Sequence, residues 1–305
     1  MEFSKMRELQ ILHLVAFLIL YLAIMTGNLL IVFAVIFDHR LHTPMYFFLM
    51  NLAILDLGSI SVTMPKSMVN SFFNTRLISY SGRVAQVFFL VFFVASDFAL
   101  LTVMAHDRYV VICTPLRYET IMNKGACIQM VVSAWISGLL YGAIHTGSTF
   151  AITFCSNVVD QFFCEIPQML KLSCSNLYLV EGGVLLLSGC VLLGCFIFII
   201  VTYVHIFTTV LRMPSRQGRQ KAFSACLPHL IVVSMFVFTG CFAYLRSSSK
   251  SPSAIDLIFS FIYSIVPPMM NPLIYSMRNK EIKIALWKLL DLKHSAKNDF
   301  SRFLQ

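Results

Sequence analysis

Charged residues are scarce in this chain of 305 residues. Asp, Glu, Lys and Arg together make up 12% of it, about half of the roughly 25% that is usual in a soluble domain. Hydrophobic residues reach 58%, and the mean hydropathy is +0.79. This balance excludes an ordinary soluble domain and predicts an integral membrane protein.

Sequence motifs of common enzymes are missing as well. The chain has no Gly-rich phosphate loop, no HExxH zinc motif and no paired CxxC. An internal repeat of the kind found in inverted-topology transporters is not visible either. The sequence therefore does not favour an enzyme, and a transporter is only a remote alternative.

Long apolar runs are what the sequence has instead. A membrane-spanning helix needs about 20 mostly apolar residues. Five such runs contain no Asp, Glu, Lys or Arg, and two more contain one acid each, Asp56 and Asp97. None alternates strictly like a barrel strand, so the spanning elements must be helices. We predict an all-α membrane protein with a seven-transmembrane helix bundle, a single domain over 1–290, whose spans lie at about 11–37, 44–71, 83–112, 126–152, 180–211, 222–246 and 255–277.

Basic residues are distributed unevenly between the two sides of these spans. Fifteen of the 23 Lys and Arg residues fall on the side of Arg108 and the C-terminus, and eight fall on the other side. Since basic loops stay in the cytoplasm, we expect a multi-pass plasma-membrane protein with an extracellular N-terminus and a cytoplasmic C-terminus. Beside an anionic inner leaflet, such loops also explain the net charge of +9 without a nucleic-acid partner.

An amphipathic segment follows the last apolar run. In KEIKIALWKLL, one helical face carries Ile282, Ala285, Leu286 and Leu289. We expect a short amphipathic eighth helix over 279–290 that lies along the membrane, followed by a cytoplasmic tail over 291–305. Docking of this helix on protein is the alternative.

A charged phrase follows the third apolar run. Asp107, Arg108 and Tyr109 stand in MAHDRYVVICTPLRY, where an Arg can simply be a topology signal. The phrase, however, resembles the Asp-Arg-Tyr motif of rhodopsin-like G-protein-coupled receptors, and its flanks resemble those of the tetrapod-type (class II) olfactory receptors. Further phrases agree in order and spacing: GNLLIV at Gly27, HTPMYFFLMNLAILDL at His42, KAFSACLPHLIVVS at Lys221 and PPMMNPLIYSMRNKEIKIAL at Pro267. The resemblance covers roughly Arg7 to Leu290.

This resemblance implies an odorant receptor. Such a receptor binds a small neutral organic molecule in the outer half of the bundle, activates a stimulatory olfactory-type heterotrimeric G protein and raises cyclic AMP. One alternative is a non-olfactory rhodopsin-like receptor, which responses to charged ligands would favour. Another is a poorly trafficked relative that does not signal.

The resemblance also implies roles for individual residues. Asp107 holds Arg108 at rest, and Arg108 meets the G protein once the sixth helix swings out. Tyr109 completes the motif, and Tyr275 in NPLIY rearranges in the same event.

The ligand cavity implied by the resemblance has an apolar wall with a few hydroxyls, which fits a neutral molecule held by shape and one or two hydrogen bonds. For each apolar member alone, ordinary helix packing is the alternative. The expected residues are Leu90, Val91, Val94, Ala95, Phe98, Leu187, Ser188, Gly240, Tyr244, Phe261 and Ser264.

Asp56 and Asp97 lie about midway along their spans. A charged residue there costs about 2.5–3.5 kcal/mol on insertion scales, so both acids should face protein or water. The resemblance brings them close to Asn28 and Asn271 and leads us to expect a bound sodium ion. The alternative is a protonated, hydrogen-bonded pair, and no other cofactor is expected.

The chain has nine cysteines. Six lie in helices or near the cytosol and are most simply small buried hydrophobes. Cys155, Cys164 and Cys174 fall in a long loop that we expect to be extracellular, where disulfides form. Because Arg83 stands where the family has the helix cysteine that pairs with this loop, the resemblance implies one disulfide, Cys155 to Cys174. Pairing of Cys164 with either neighbour stays open.

Overall fold

The structure, a computed structural model, describes residues 7–73, 80–151, 178–247, 265–275 and 280–289. Within these ranges the backbone is helical almost throughout and contains no strand. The six long helices are α1 (Arg7–Phe37), α2 (Pro44–Phe73), α3 (Tyr80–Cys113), α4 (Lys124–Phe150), α5 (Tyr178–Arg212) and α6 (Arg216–Ser247). Two shorter helical segments follow, α7 (265–275) and α8 (280–289).

Each of the six long helices contains a stretch that can cross a membrane by its length and composition. Among the described residues, these stretches run from 22 residues in α2 to 34 residues in α3. Apolar side chains such as Ile19, Leu140 and Leu186 are exposed on the outside of the bundle, and so large an apolar surface is stable in lipid rather than in water. The prediction of an all-α membrane protein is confirmed. Of the seventh predicted span, 255–277, the structure describes 265–275.

The central helix is α3, which contacts α2, α4, α5 and α6. Glycines of α4 allow the closest of these approaches. A Cβ atom on Gly138 would lie 2.0 Å from Ser96 Oγ and 2.8 Å from the carbonyl oxygen of Phe92, and one on Gly142 would lie 3.1 Å from the carbonyl oxygen of Phe88. Helices in membranes approach this closely where small residues face the neighbour.

Short turns connect the helices at the end of the bundle that contains Asp107, which we call the Asp107 end; the opposite end is the Arg83 end. Between α3 and α4, the chain forms a 3₁₀ turn, Pro115–Arg117, and a one-turn helix, Tyr118–Ile121. These two turns lead the chain back beneath α3 and bring Tyr118 next to Asp107.

The apolar face of α8 packs on the bundle, and the orientation of this helix along the membrane stays a prediction. The buried residues of this face are Ile282 and Ala285, with Leu286 and Leu289 packed against the same core. Ile284 and Trp287, which are 48% and 69% exposed, form the apolar surface left for lipid. An amphipathic pattern identifies the apolar face of a helix, but it does not say whether protein or lipid covers that face.

Polar contacts fix both ends of α8. The Tyr46 hydroxyl of α2 donates to the Glu281 carboxylate, and Lys288 Nζ lies 3.2 Å from Asp38 Oδ2. The backbone N–H of Arg40, which donates to Asp38, lowers the pKa of that carboxyl, and Lys288 adds to the effect. Asp38 therefore stays ionised beside Lys288 and joins α8 to the turn after α1.

Candidate functional site

One face of α3 is buried along most of its length and links the predicted ligand region to the Asp107 end. Leu90, Asp97, Leu101, Met104 and Arg108 recur on it every three to seven residues, and all are buried. Residues at such spacings lie on one side of a helix. A single buried face of α3 therefore connects the predicted ligand region with Arg108.

Only some of the residues predicted to bind a ligand face the interior of the bundle. On α3, Leu90 and Phe98 are buried, and Val91, Val94 and Ala95 are partly buried. The ring of Phe98 stacks on Phe236 of α6, with 5.5 Å between centroids. This stacking gives α3 and α6 a direct contact at the predicted cavity.

On α5, the structure separates two adjacent predicted residues. Leu187 is 68% exposed on the outer surface of the helix, whereas Ser188 is buried. Successive residues of a helix are rotated by about 100°, so only one of this pair can face the bundle. Leu187 is therefore not part of the wall in this structure. Gly240 is partly buried in α6. The side chain of Tyr244 lies outside the described part of the chain, as do Phe261, Ser264 and the two predicted disulfide residues, Cys155 and Cys174.

A polar contact between α4 and α5 was not predicted. His145 Nε2 lies 2.6 Å from Ser188 Oγ, and both residues are buried. The ring of Tyr141, one turn away on α4, lies with its centroid 4.4 Å from that of His145. A histidine in an apolar run is the signal that could have revealed this contact, because a buried polar side chain in a membrane helix needs a partner on a neighbouring helix.

The two intramembrane acids and two asparagines come together at the middle of the bundle. Asn271 Nδ2 of α7 donates to Asp56 Oδ2 at 2.8 Å, and Asn28 Nδ2 of α1 donates to the Pro268 carbonyl at 3.0 Å. Asp97 lies within electrostatic range of Asp56. All four predicted residues are buried, so α1, α2, α3 and α7 each contribute one polar side chain to this region.

Oxygen atoms in this region have hydrogen-bonding capacity left. Asn28 Oδ1, Asp97 Oδ1 and Asn271 Oδ1 are buried and bond to no other residue in the described part of the chain. Two carboxylates held near each other in a membrane repel unless a proton or a cation lies between them. The oxygen-only donor set therefore suits a hard cation.

At the Asp107 end, Asp107 is paired with Tyr118 and not with Arg108. The Tyr118 hydroxyl donates to Asp107 Oδ1 at 3.0 Å, and no ion pair joins Asp107 to Arg108 in the described ranges. Adjacent helix residues point in different directions, which separates the two charges. Burial, together with the Asp107 carboxylate, raises the pKa of Tyr118, so this hydroxyl keeps its proton and remains the donor. The structure thus shows Asp107 holding the loop after α3, whereas we predicted that it holds Arg108.

Arg108 lies beside a hydrogen-bonded connection between three helices. His229 Nε2 of α6 lies 2.9 Å from the Leu101 carbonyl of α3, and His229 Nδ1 lies 2.8 Å from the Tyr203 hydroxyl of α5. Because a carbonyl only accepts, Nε2 carries a proton, and a neutral ring then accepts from Tyr203 at Nδ1. Arg108 lies within electrostatic range of Tyr203 and Tyr275.

Two more predicted residues lie around this connection. Tyr275 is buried, and its hydroxyl bonds to nothing else in the described ranges, as is also true of Arg108 Nε. Tyr109 faces α5, where its ring centroid lies 6.3 Å from that of His205. The residues predicted for activation thus lie at one end of the bundle, although Asp107 has a different partner.

Comparison with known proteins leads to the same family as the sequence motifs. A family model described as "Olfactory receptor" matches residues 17–293. The chain belongs to the olfactory receptor family. Among its relatives, human olfactory receptor 14I1 is 51% identical over 290 residues, which cover 95% of this chain and 93% of that receptor. Human olfactory receptor 14C36 is 52% identical over 291 residues, with 95% and 93% covered, and human olfactory receptor 14A16 is 48% identical over 298 residues, with 97% and 96% covered.

Membership of this family confirms the resemblance drawn from the sequence motifs. As an olfactory receptor, the chain is a multi-pass membrane protein of the G-protein-coupled class and not an enzyme. The match covers every helix described above, except the first ten residues of α1.

Proposed function

We propose that this olfactory receptor detects a small neutral organic odorant in the half of the bundle nearest the Arg83 end. Binding there activates a stimulatory olfactory-type heterotrimeric G protein at the Asp107 end and raises cyclic AMP. The receptor acts in the plasma membrane with its N-terminus outside. The excess of Lys and Arg at the Asp107 end supports a cytoplasmic location for that end.

The observation that carries the proposal is the connection of α3, α5 and α6 through Leu101, His229 and Tyr203. It lies between the predicted cavity, where Phe98 stacks on Phe236, and Arg108. If an odorant changes the Phe98–Phe236 contact, α6 moves relative to α3 and the bond from His229 to Leu101 is strained. When the ring of His229 moves away with α6, its bond to Tyr203 breaks as well, which frees the Tyr203 hydroxyl beside Arg108 and opens the Asp107 end.

The chemistry of the described wall supports a neutral ligand. Leu90, Val91, Val94 and Phe98 present only hydrocarbon, and Ser188, already bonded to His145, presents a hydroxyl. No residue assigned to the cavity carries a formal charge. A charged ligand would lose its hydration without gaining an opposite charge from these residues, which is costly.

The loop after α3 supports docking of a protein at the Asp107 end. Leu116 is fully exposed at the middle of its 3₁₀ turn, between Pro115 and Arg117. An apolar side chain that stands alone in water beside basic residues is suited to a pocket on a partner. The hydrogen bond from Tyr118 to Asp107 holds this turn against α3, so docking there is coupled to the helix that carries Arg108.

A screen of chemically diverse odorants tests the function. In cells that carry a cyclic AMP reporter and display the tagged receptor at their surface, we expect responses to uncharged odorants and none to their quaternary-ammonium analogues. Cells that display the Arg108→Ala variant serve as the control for reporter background. Responses restricted to charged ligands would favour a non-olfactory rhodopsin-like receptor. The absence of any response from a receptor that is present at the surface would favour a relative that does not signal.

We also propose that Asp56 and Asp97, with the oxygens of Asn28 and Asn271, would hold a sodium ion. The ion would neutralise two neighbouring carboxylates that the described residues leave only partly bonded. The alternative is a shared proton, which the same oxygens also accommodate. A ligand that binds only the folded receptor stabilises it, so the two alternatives differ in how stability depends on sodium.

We expect sodium chloride to raise the thermal unfolding temperature of the purified receptor relative to potassium chloride, and Asp97→Asn to remove this difference. The variant keeps the size of the side chain and deletes one carboxylate charge. Asp38→Asn changes a partly buried acid outside the spans that pairs with Lys288; this variant is the matched control and should keep the difference. If Asp97→Asn retains the sodium effect in full, the two acids do not hold the ion. If sodium does not stabilise the parent receptor, the two acids instead share a proton.

A further inference from the structure

Gln86 is a buried polar residue of α3 that neither the motifs nor the site described above accounts for. Its side chain is only 7% exposed, and it lies in the second turn of the helix from Tyr80. None of the hydrogen bonds between described residues involves its amide, and it is not among the residues whose partners lie elsewhere. Its amide atoms are not among the fully buried polar atoms that lack a partner, so the amide, which bonds to no described residue, keeps some accessible surface. An amide that is almost buried and unbonded gains free energy from a polar partner, and the described part of the protein does not supply one.

The position of Gln86 on α3 shows where that partner would lie. Gln86, Leu90 and Val94 are four residues apart in succession, so they share one face of the helix. Leu90 and Val94 are the residues of α3 that the cavity assignment places along this face. The Gln86 amide thus continues the same wall by one turn toward the Arg83 end.

Neighbouring polar groups have less hydrogen-bonding capacity left than the Gln86 amide. The Ser188 hydroxyl is bonded to His145 at 2.6 Å, which uses part of its capacity. Arg83, a further turn along α3, already takes part in an interaction of its own. Among the described residues on this face, Gln86 combines burial with an unused donor group and an unused acceptor group.

We propose that the Gln86 amide is the polar recognition group of the odorant cavity, and that it selects neutral odorants with a carbonyl oxygen. Ketones, aldehydes, esters and lactones can only accept a hydrogen bond, so they need a donor such as the amide N–H. The apolar wall formed by Leu90 and Val94 holds the hydrocarbon part of the same molecule. This inference rests on the proposed function, because it names the chemical class that the cavity recognises.

Substitutions of Gln86 separate recognition from a structural role. Gln86→Leu keeps the approximate volume and removes both polar groups, whereas Gln86→Glu keeps the shape and replaces the donor by a carboxylate. The probes are straight-chain methyl ketones of six to ten carbons, and the hydrocarbons in which a methylidene group replaces the carbonyl oxygen. A wider set of alcohols, amines, acids and thiols is screened beside them. Gln129→Leu, which changes an exposed glutamine of α4, is the matched control.

We expect carbonyl odorants to be agonists of the parent receptor, and Gln86→Leu to raise their half-maximal concentration about tenfold or more. The Gln86→Leu receptor should no longer discriminate between ketones and methylidene probes. The potency of the methylidene probes relative to the ketones should therefore be higher in the variant than in the parent. Gln86→Glu should weaken the carbonyl agonists as well and gain a response to the amines, because it introduces a negative charge. Gln129→Leu should behave as the parent.

Four outcomes would overturn the inference. If Gln86→Leu leaves carbonyl agonists unchanged, or weakens agonists of every class equally, Gln86 does not select the ligand. Agonists found only among the hydrocarbons or thiols would have the same consequence, although the receptor would still be an odorant receptor. If no compound activates a parent receptor that is present at the surface, the proposed function itself fails and the inference fails with it.

Discussion

Arg108→Ala is expected to abolish the cyclic AMP response to every agonist while agonist binding persists. Arg108 lies at the Asp107 end, eighteen residues from Leu90, which is about 27 Å along a helix that rises 1.5 Å per residue. The substitution therefore leaves the predicted cavity intact. At the other end it removes the guanidinium beside Tyr203 and Tyr275. Since hydrogen bonds to charged groups contribute about 1.5–3 kcal/mol, loss of the group should reduce coupling at least tenfold.

The structure adds a reason why Arg108 and not Asp107 dominates this effect. Asp107 is bonded to Tyr118, and Arg108 Nε is without a partner among the described residues. The guanidinium therefore needs no release from an acid and is ready to meet a partner once α6 moves. Asp107→Asn, which can still accept from Tyr118, should consequently impair signalling far less than Arg108→Ala.

Matched variants make this test specific. Arg40→Ala removes an exposed arginine from the turn after α1 at the same end and should retain most of the response. Surface level is measured with a tag at the N-terminus, cyclic AMP with a reporter, and binding by displacement of a labelled agonist. Retained cyclic AMP output for Arg108→Ala at the parent surface level would contradict the assignment. An equal loss for Arg40→Ala would point to the general basic charge of this end instead.

The membrane fold was predictable because its physical signal is strong. A helix that crosses lipid must satisfy its backbone internally and present apolar side chains outward, and runs such as those of α1 and α5 show this directly in their residues. The central pairing of Asp56 with Asn271 was also accessible, since acids inside a membrane are rare and need partners. The motif resemblance supplied the second residue, which lies 215 positions away in the chain.

Details that depend on helix rotation or loop path were not predictable. Leu187 and Ser188 are neighbours in sequence, but a rotation of about 100° decides which of them faces the bundle. The bond from Tyr118 to Asp107 depends on two short turns whose path no periodic pattern specifies. Gln86 and His145 were missed for another reason: in a long apolar run, a single uncharged polar residue does not disturb the prediction of a span, so the pattern does not mark it as part of a site.

Gly138→Ala is expected to lower the amount of folded receptor at the cell surface and its thermal stability. The added Cβ atom would lie 2.0 Å from Ser96 Oγ, 2.8 Å from the Phe92 carbonyl oxygen and 3.0 Å from the Ser96 backbone nitrogen. The Ser96 hydroxyl can rotate away, but the two backbone atoms belong to α3 and can move only with that helix. Overpacking of this kind costs about 1–3 kcal/mol.

A second glycine of the same helix provides the control for Gly138. A Cβ atom on Gly147 would meet no atom within 4 Å, so Gly147→Ala introduces the same methyl group without a clash. It should also stabilise α4 slightly, because alanine favours a helix over glycine by about 1 kcal/mol. The two variants therefore have opposite expected signs, although they carry the same substitution in one helix. Thermal unfolding of the purified receptors and surface labelling of intact cells measure the difference. Equal stability of the two variants would show that α3 and α4 are not packed as closely as the contact at Ser96 requires.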